Sequence, residues 1–227
     1  VLSLRLPPQQ RIGWLEAAVA GCQQTGDRRG EGASLGNLGN AWADLGESRR
    51  AAELHEQNLA IARDIGDRGG ECRALGNLGV AWRRLGQPHK ALQFHEQNLA
   101  MARMIGDRRS ESAALGNIGV IWSNLGKSGK AIKYYKEYLT IAYELKDRLR
   151  ESNALSNLGQ ALLDMGKRSR AIKLFEQQLA ISRELDDRRG EGKALGNLGV
   201  AWMQLSKIDR AIKLLEQRLA IAREFGD

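Results

Sequence analysis

A block of 40 residues occurs five times in this 227-residue chain without one insertion or deletion, at 28–67, 68–107, 108–147, 148–187 and 188–227. Its most constant part is Leu35-Gly36-Asn37-Leu38-Gly39, which returns at Leu75 to Gly79, Leu115 to Gly119, Leu155 to Gly159 and Leu195 to Gly199. A unit this short cannot enclose a core alone, so each block must bury its apolar face on its neighbours. Stacked units offer a long shared surface rather than one enclosed pocket, and the sequence therefore points to binding.

Within the first block, Leu35, Leu38, Trp42 and Leu45 fall at helical spacing. Gly46 interrupts, and Ala51, Leu54, Leu59, Ala62 and Ile65 resume a second helical stripe. Each block thus reads as a helical hairpin, and the chain as all-α. Gly46, Gly86, Gly126 and Gly166 suit the left-handed residue that ends a helix, with Ser206 standing in the fifth block. Asp27, Asp67, Asp107, Asp147 and Asp187 suit the N-cap of the next helix. Ile12 to Asp27 aligns with Ala52 to Asp67, so 11–27 reads as half a repeat, its second helix only. Residues 1–10 read as an entry linker, because Pro7 and Pro8 remove donors and fix φ. The opening at Val1 and the stop at Gly226-Asp227, where another block would begin, suggest a piece of a longer protein.

Leu38-Gly39 followed by Trp42, the turn residue Gly46 and the small Ala51 resemble the tetratricopeptide repeat, and the pattern covers all five blocks. The 40-residue form with Leu-Gly-Asn-Leu-Gly is similar to arrays in kinesin light chains and spindle-orientation adaptors. It is also similar to bacterial signalling proteins that join such arrays to a nucleotide-driven switch domain or a caspase-like protease. The resemblance implies a right-handed α-solenoid of stacked antiparallel hairpins whose first helices line a concave groove. Two departures bear on packing: the small residue usual in mid second helix is replaced by Asn58, Asn98, Tyr138, Gln178 and Arg218, and the first-helix aromatic becomes Leu162 in block four.

Asn37, Asn77, Asn117, Asn157 and Asn197 recur in helices although Asn is a middling helix former. The resemblance implies that these amides hold an extended peptide. An Asn side chain can pair with a backbone C=O and N–H whatever the ligand's sequence. Neighbouring helices lie roughly 8–10 Å apart and a strand rises about 3.3 Å per residue, so one Asn would serve roughly three ligand residues. The alternative is that each Asn bonds within the stack. Gly36, Gly76, Gly116, Ser156 and Gly196, just before the Asn column, either clear room for a ligand or pack against a helix. Specificity, by the same resemblance, belongs to Asn40, Arg73, Arg83, Arg84, Asn124 and Gln160 on that face. The three Arg side chains suggest that the partner carries an acidic residue where it crosses block two.

The net charge of +8 suggests nucleic acid, but 35 basic residues are interleaved with 27 acidic ones. Residues 28–67 hold five basic and seven acidic residues, a net of −2, which breaks any continuous phosphate-binding stripe. His55-Glu56 and His95-Glu96 open like a zinc helix, yet Leu59 and Leu99 stand where its second His belongs. Gly126-Lys127-Ser128 lacks the preceding Gly at phosphate-loop spacing. Cys22 and Cys72 form no Cys-x-x-Cys, and no run approaches a membrane span of roughly 18 apolar residues. Trp42, Trp82, Trp122 and Trp202 read as packing residues, and Arg28, Arg108 and Arg188 near Glu31, Glu111 and Glu191 as solvated ion pairs.

The sequence expectation is therefore a non-enzymatic cytoplasmic module with no catalytic residue, metal or cofactor, binding a protein or peptide partner as scaffold or sensor. Self-association or docking of a domain of the same chain is the alternative. Nucleic-acid binding by a basic solenoid ranks third.

Overall fold

The computed structural model describes residues 8–225 and, within them, eleven α-helices. In chain order they are α1 (Pro8–Thr25), α2 (Arg28–Asp44), α3 (Ser48–Asp64), α4 (Arg68–Arg84), α5 (Pro88–Ile105) and α6 (Arg108–Asn124). They continue as α7 (Ser128–Glu144), α8 (Arg148–Asp164), α9 (Arg168–Glu184), α10 (Arg188–Met203) and α11 (Ile208–Glu224). Each 40-residue block is one hairpin of a first helix and a second helix. The chain divides into two compact units, one ending at Asn117 and the other beginning at Ile118. In the first, α1, α2, α3, α4 and α5 pack in succession and α2 also meets α4; in the second, α7 to α11 do the same and α8 meets α10.

Helix α1 takes in Pro8, Gln9 and Gln10, which sequence reasoning assigned to the linker. A proline in the first turn removes only a donor that has no partner there, so Pro8 permits a helix start. Residues 1–7 of that linker lie outside the described residues. Asp27, Asp67, Asp147 and Asp187 accept the backbone N–H three residues on. Asp107 accepts from the Ser110 N–H at 3.0 Å and from the Ser110 hydroxyl at 2.6 Å. The second helices have no such side-chain cap and rest on the turn before them, where Gly46, Gly86, Gly126 and Gly166 take φ of 86, 71, 70 and 71°. Ser206 takes the same left-handed conformation at φ 58°, and Lys146 and Asp186 do so at 52° in the turns between repeats.

The core is a series of small clusters. Leu75 and Leu78 with Ala52, Leu59, Ala74 and Ala81 form one in the first unit, covered by half-buried Trp82 and Phe94. Phe175 with Ile172, Leu163, Leu198 and Ala201 forms one in the second, and Leu162 packs where other blocks carry Trp. The four repeat tryptophans are half-buried as packing residues, and a cation eight residues on caps each ring: Arg50 on Trp42 at 4.0 Å, Lys90 on Trp82 at 3.5 Å, Lys130 on Trp122 at 4.0 Å and Arg210 on Trp202 at 4.8 Å.

Glu31, Glu71, Glu111, Glu151 and Glu191 are buried, at 4 to 8% exposure, although solvated ion pairs were expected at Glu31, Glu111 and Glu191. Each pairs with the Arg three residues before it. Glu71, Glu111 and Glu191 also accept from Arg63, Arg103 and Arg183 of the preceding helix at 2.8 Å, and Glu31 from Gln23 at 2.9 Å. These bonds hold Glu31 and Glu191 below the usual carboxylate range against the opposing effect of burial. Tyr143 replaces the second Arg beside Glu151.

Candidate binding surface

Side chains of the second helix press on the second glycine column throughout and on the first at Gly36 and Gly196. A Cβ at Gly39 or Gly79 would lie 2.7 or 2.5 Å from the imidazole of His55 or His95. At Gly119 and Gly159 it would lie 2.4 and 2.5 Å from the rings of Tyr135 and Phe175. In the column beside Asn, a Cβ at Gly36 would stand 2.8 Å from Asn58 Nδ2 and one at Gly196 2.9 Å from Arg218 Nη1. At these two positions the second helix packs against the column, and Gly36 also borders the cleft formed with α4. Asn98, opposite Gly76, donates from Nδ2 to the Cys72 carbonyl at 2.6 Å and is 4% exposed. Burial pushes the Cys72 thiol up in pKa, which suits an inert packed residue.

Tight packing on Leu35, Gly36, Leu38 and Gly39 leaves Asn37 and Asn40 on the opposite side of α2, both exposed, while Asn77, Asn117, Asn157 and Asn197 are half-buried. Among the described residues only Asn197 of this column hydrogen-bonds through its amide, donating to Ser156 Oγ at 3.5 Å. In the first unit Asn37, Asn40 and Asn77 border a cleft of about 420 Å³ between α2 and α4. Asn58, Ile61 and Ala62 of α3 and Ile65 just after it lie along it, with Arg29 and Arg73 among its charged members. Asn37 and Asn40 also border a neighbouring recess with Arg11, Leu15 and Trp14, whose indole is 71% exposed.

The other expected specificity residues have different surroundings. Arg84 donates from Nη1 to the Ala43 carbonyl at 2.8 Å and so caps the end of α2. Arg83 is half-buried, its Nε lacks a partner, and its charge adds to the forces that disfavour a proton on His95. In the second unit Gln160 donates to Asp164 at 2.8 Å within its own helix, and Asn124 is exposed. His55 and His95 are 2% and 0% exposed, and burial lowers both to a pKa of about 4. They are neutral packing groups at pH 7.

No described helix is long and apolar enough to cross a membrane. Family models described as tetratricopeptide repeat match residues 34–69, 70–144 and 150–224. No curated protein sequence matches the chain. Among solved structures, BtubC (BKLC) from P. vanneervenii is similar with a TM-score of 0.86 at 21% identity, over 96% of this chain and 92% of that one. The tetratricopeptide repeat sensor protein PH0952 of Pyrococcus horikoshii, a signal transduction ATPase with numerous domains, aligns with a TM-score of 0.77 at 19% identity, over 85% of this chain and 30% of that one. A Rap protein complexed with Competence and Sporulation Factor aligns with a TM-score of 0.73 at 16% identity, over 87% and 56% of the two chains.

Proposed function

Because the chain belongs to the tetratricopeptide repeat family, we propose that it is a protein-interaction module that holds an extended segment of a partner through its column of Asn amides. The observation that carries this reading is the convergence of Asn37, Asn40 and Asn77 on one cleft, with amides that no described residue occupies. A helix surface tolerates Ala better than Asn, so an amide without an internal partner contributes little to stability. A peptide backbone supplies the donor and acceptor such an amide lacks. The solved Rap structure, a complex with Competence and Sporulation Factor, and the tetratricopeptide repeat sensor of the Pyrococcus protein support a scaffold or sensor part in cytoplasmic signalling. Non-catalytic work fits the same picture.

The test is a display library of random decamers panned against the whole chain and against Asn37→Ala/Asn77→Ala. Related peptides that the variant fails to retain support the reading. Equal enrichment on both proteins, or none on either, contradicts it. Self-association is the second reading, favoured by Ile208, Ile212 and Leu219, which lie on α11 at 51, 49 and 49% exposure. It requires a mass that rises with concentration and does not respond to loss of the Asn side chains.

A further inference from the structure

The second helix of every block opens with three residues spaced three apart, and their charge changes along the chain. They are Glu47, Arg50 and Glu53 in the first block and Gln87, Lys90 and Gln93 in the second. In the other three blocks they are Lys127, Lys130 and Lys133, then Lys167, Arg170 and Lys173, then Lys207, Arg210 and Lys213. The middle residue caps a tryptophan ring in each block that has one, so packing accounts for it. Packing does not account for a flanking pair that turns from Glu to Gln to Lys. Lys127, Lys167 and Lys207 stand at the N-caps of α7, α9 and α11 with no side-chain bond to the first turn, at the end of the helix where its dipole favours an anion. Fold stability opposes these charges instead of explaining them. All nine cations are exposed, and none forms an ion pair with a described residue. Residues at i and i+3 are neighbours on a helix surface. Among the described residues no two of α7, α9 and α11 touch, whereas α8 meets α10, so the second helices form the outer side of this unit and display their cations as a three-by-three lattice. Segments 127–137, 167–177 and 207–217 together hold eleven cations and four carboxylates, a net of +7, against +8 for the whole chain. The net negative charge of residues 28–67, which breaks a stripe along the whole chain, lies in the other unit and leaves this surface whole.

We infer that the outer side of the second unit binds the phosphate backbone of a double-stranded nucleic acid without regard to sequence. A duplex carries one phosphate charge per about 1.7 Å of its axis, and cations that neutralise those phosphates release the counterions condensed there. The six flanking residues are all lysines, flexible point charges that read charge density and not the outline of a planar group. The three segments expose no aromatic side chain that could stack on unpaired bases, which favours a duplex over a single strand. A lipid surface also attracts lysines, but it takes them together with apolar side chains that enter it. Segments 127–137 and 167–177 expose no apolar side chain, and the third exposes only Ile208 and Ile212. This surface belongs to the second helices and the Asn column to the first, so nucleic-acid binding here neither needs nor excludes a peptide on the Asn side chains.

The probes are a DNA duplex and an RNA duplex of the same arbitrary sequence, about 24 base pairs long, titrated with the whole chain by fluorescence anisotropy at roughly 50 to 300 mM salt. The phosphates of either can satisfy the lattice, and the two arms show which duplex it takes. The logarithm of affinity should fall against the logarithm of salt with a slope of about −4 or steeper. Lys133→Gln/Lys173→Gln/Lys213→Gln, which copies Gln93, should bind at least about tenfold more weakly at roughly 100 mM salt and flatten the slope by about 2 to 3, while Lys→Arg at the same three positions keeps the affinity. Arg29→Gln/Arg49→Gln/Arg73→Gln removes as many exposed charges from the first unit and should change affinity by less than about threefold. An equal loss in the two Gln variants, tighter binding to phosphatidylglycerol vesicles or to polyglutamate than to the better duplex, or binding to neither duplex overturns the inference. Asn37→Ala/Asn77→Ala should bind the duplex as the unaltered chain does, so the peptide-holding reading is tested separately.

Discussion

His55 and His95 share their column with Tyr135, Phe175 and Leu215, and all five press on a glycine of the first helix. Neither His55 Nδ1 nor either nitrogen of His95 has a hydrogen-bond partner, so a proton there would be a buried, unanswered charge. The folded pKa of about 4 lies below the free value of 6.5, so above pH 6.5 neither state is protonated and the two residues leave stability unchanged. Between 6.5 and 4 the unfolded chain binds protons that the fold excludes, and stability falls by about 1.4 kcal/mol per pH unit for each His. His55→Phe/His95→Phe, which copies Phe175, should therefore flatten the pH dependence of urea unfolding across that window. An unchanged slope would contradict it. Two alanine pairs separate kinds of residue that look alike in sequence. Gly76→Ala meets Asn98 only at 3.5 Å and should stabilise by up to about 1 kcal/mol, whereas Gly79→Ala drives into the His95 ring and should cost about 1–3 kcal/mol. Asn77→Ala should leave thermal stability unchanged or raised, whereas Asn98→Ala removes a buried bond to the Cys72 carbonyl and leaves a gap, and should cost about 1–3 kcal/mol.

At the scale of the helices, periodicity and punctuation were legible: Asp N-caps and Gly turns stand where their chemistry requires. What the sequence hid is contact between residues far apart in number. Arg84 caps α2 from 41 residues away, and Glu31 to Glu191 are buried because the preceding helix covers them, which an i,i+3 pattern cannot reveal. Leu215 is half-buried because it fills the space at Gly199, whereas Leu219 and Phe225 are exposed. The left-handed turn residues Lys146, Asp186 and Ser206 depart from the Gly of other repeats. A side chain in that conformation costs roughly 1 kcal/mol, so each change to Gly should raise stability by about that much in chemical unfolding. A loss at all three sites would show that other contacts hold those turns.

For the molecule as a whole, a repeat that buries apolar surface only on its neighbours leaves its polar faces free to vary, and function is written there. The Asn column was legible because it recurs at a fixed interval in a context that disfavours it. That Arg29 and Arg73 share a cleft was not, because they are 44 residues apart and occupy different positions in their repeats. The central claim is that the column amides meet a ligand backbone. It is tested most directly by following the side-chain NH2 resonances of the Asn residues by NMR as a decamer recovered from the library is added. The account predicts that Asn37 and Asn77 shift with the binding curve while Asn98, already bonded to Cys72, does not. Saturable binding that leaves Asn37 and Asn77 unmoved would contradict it.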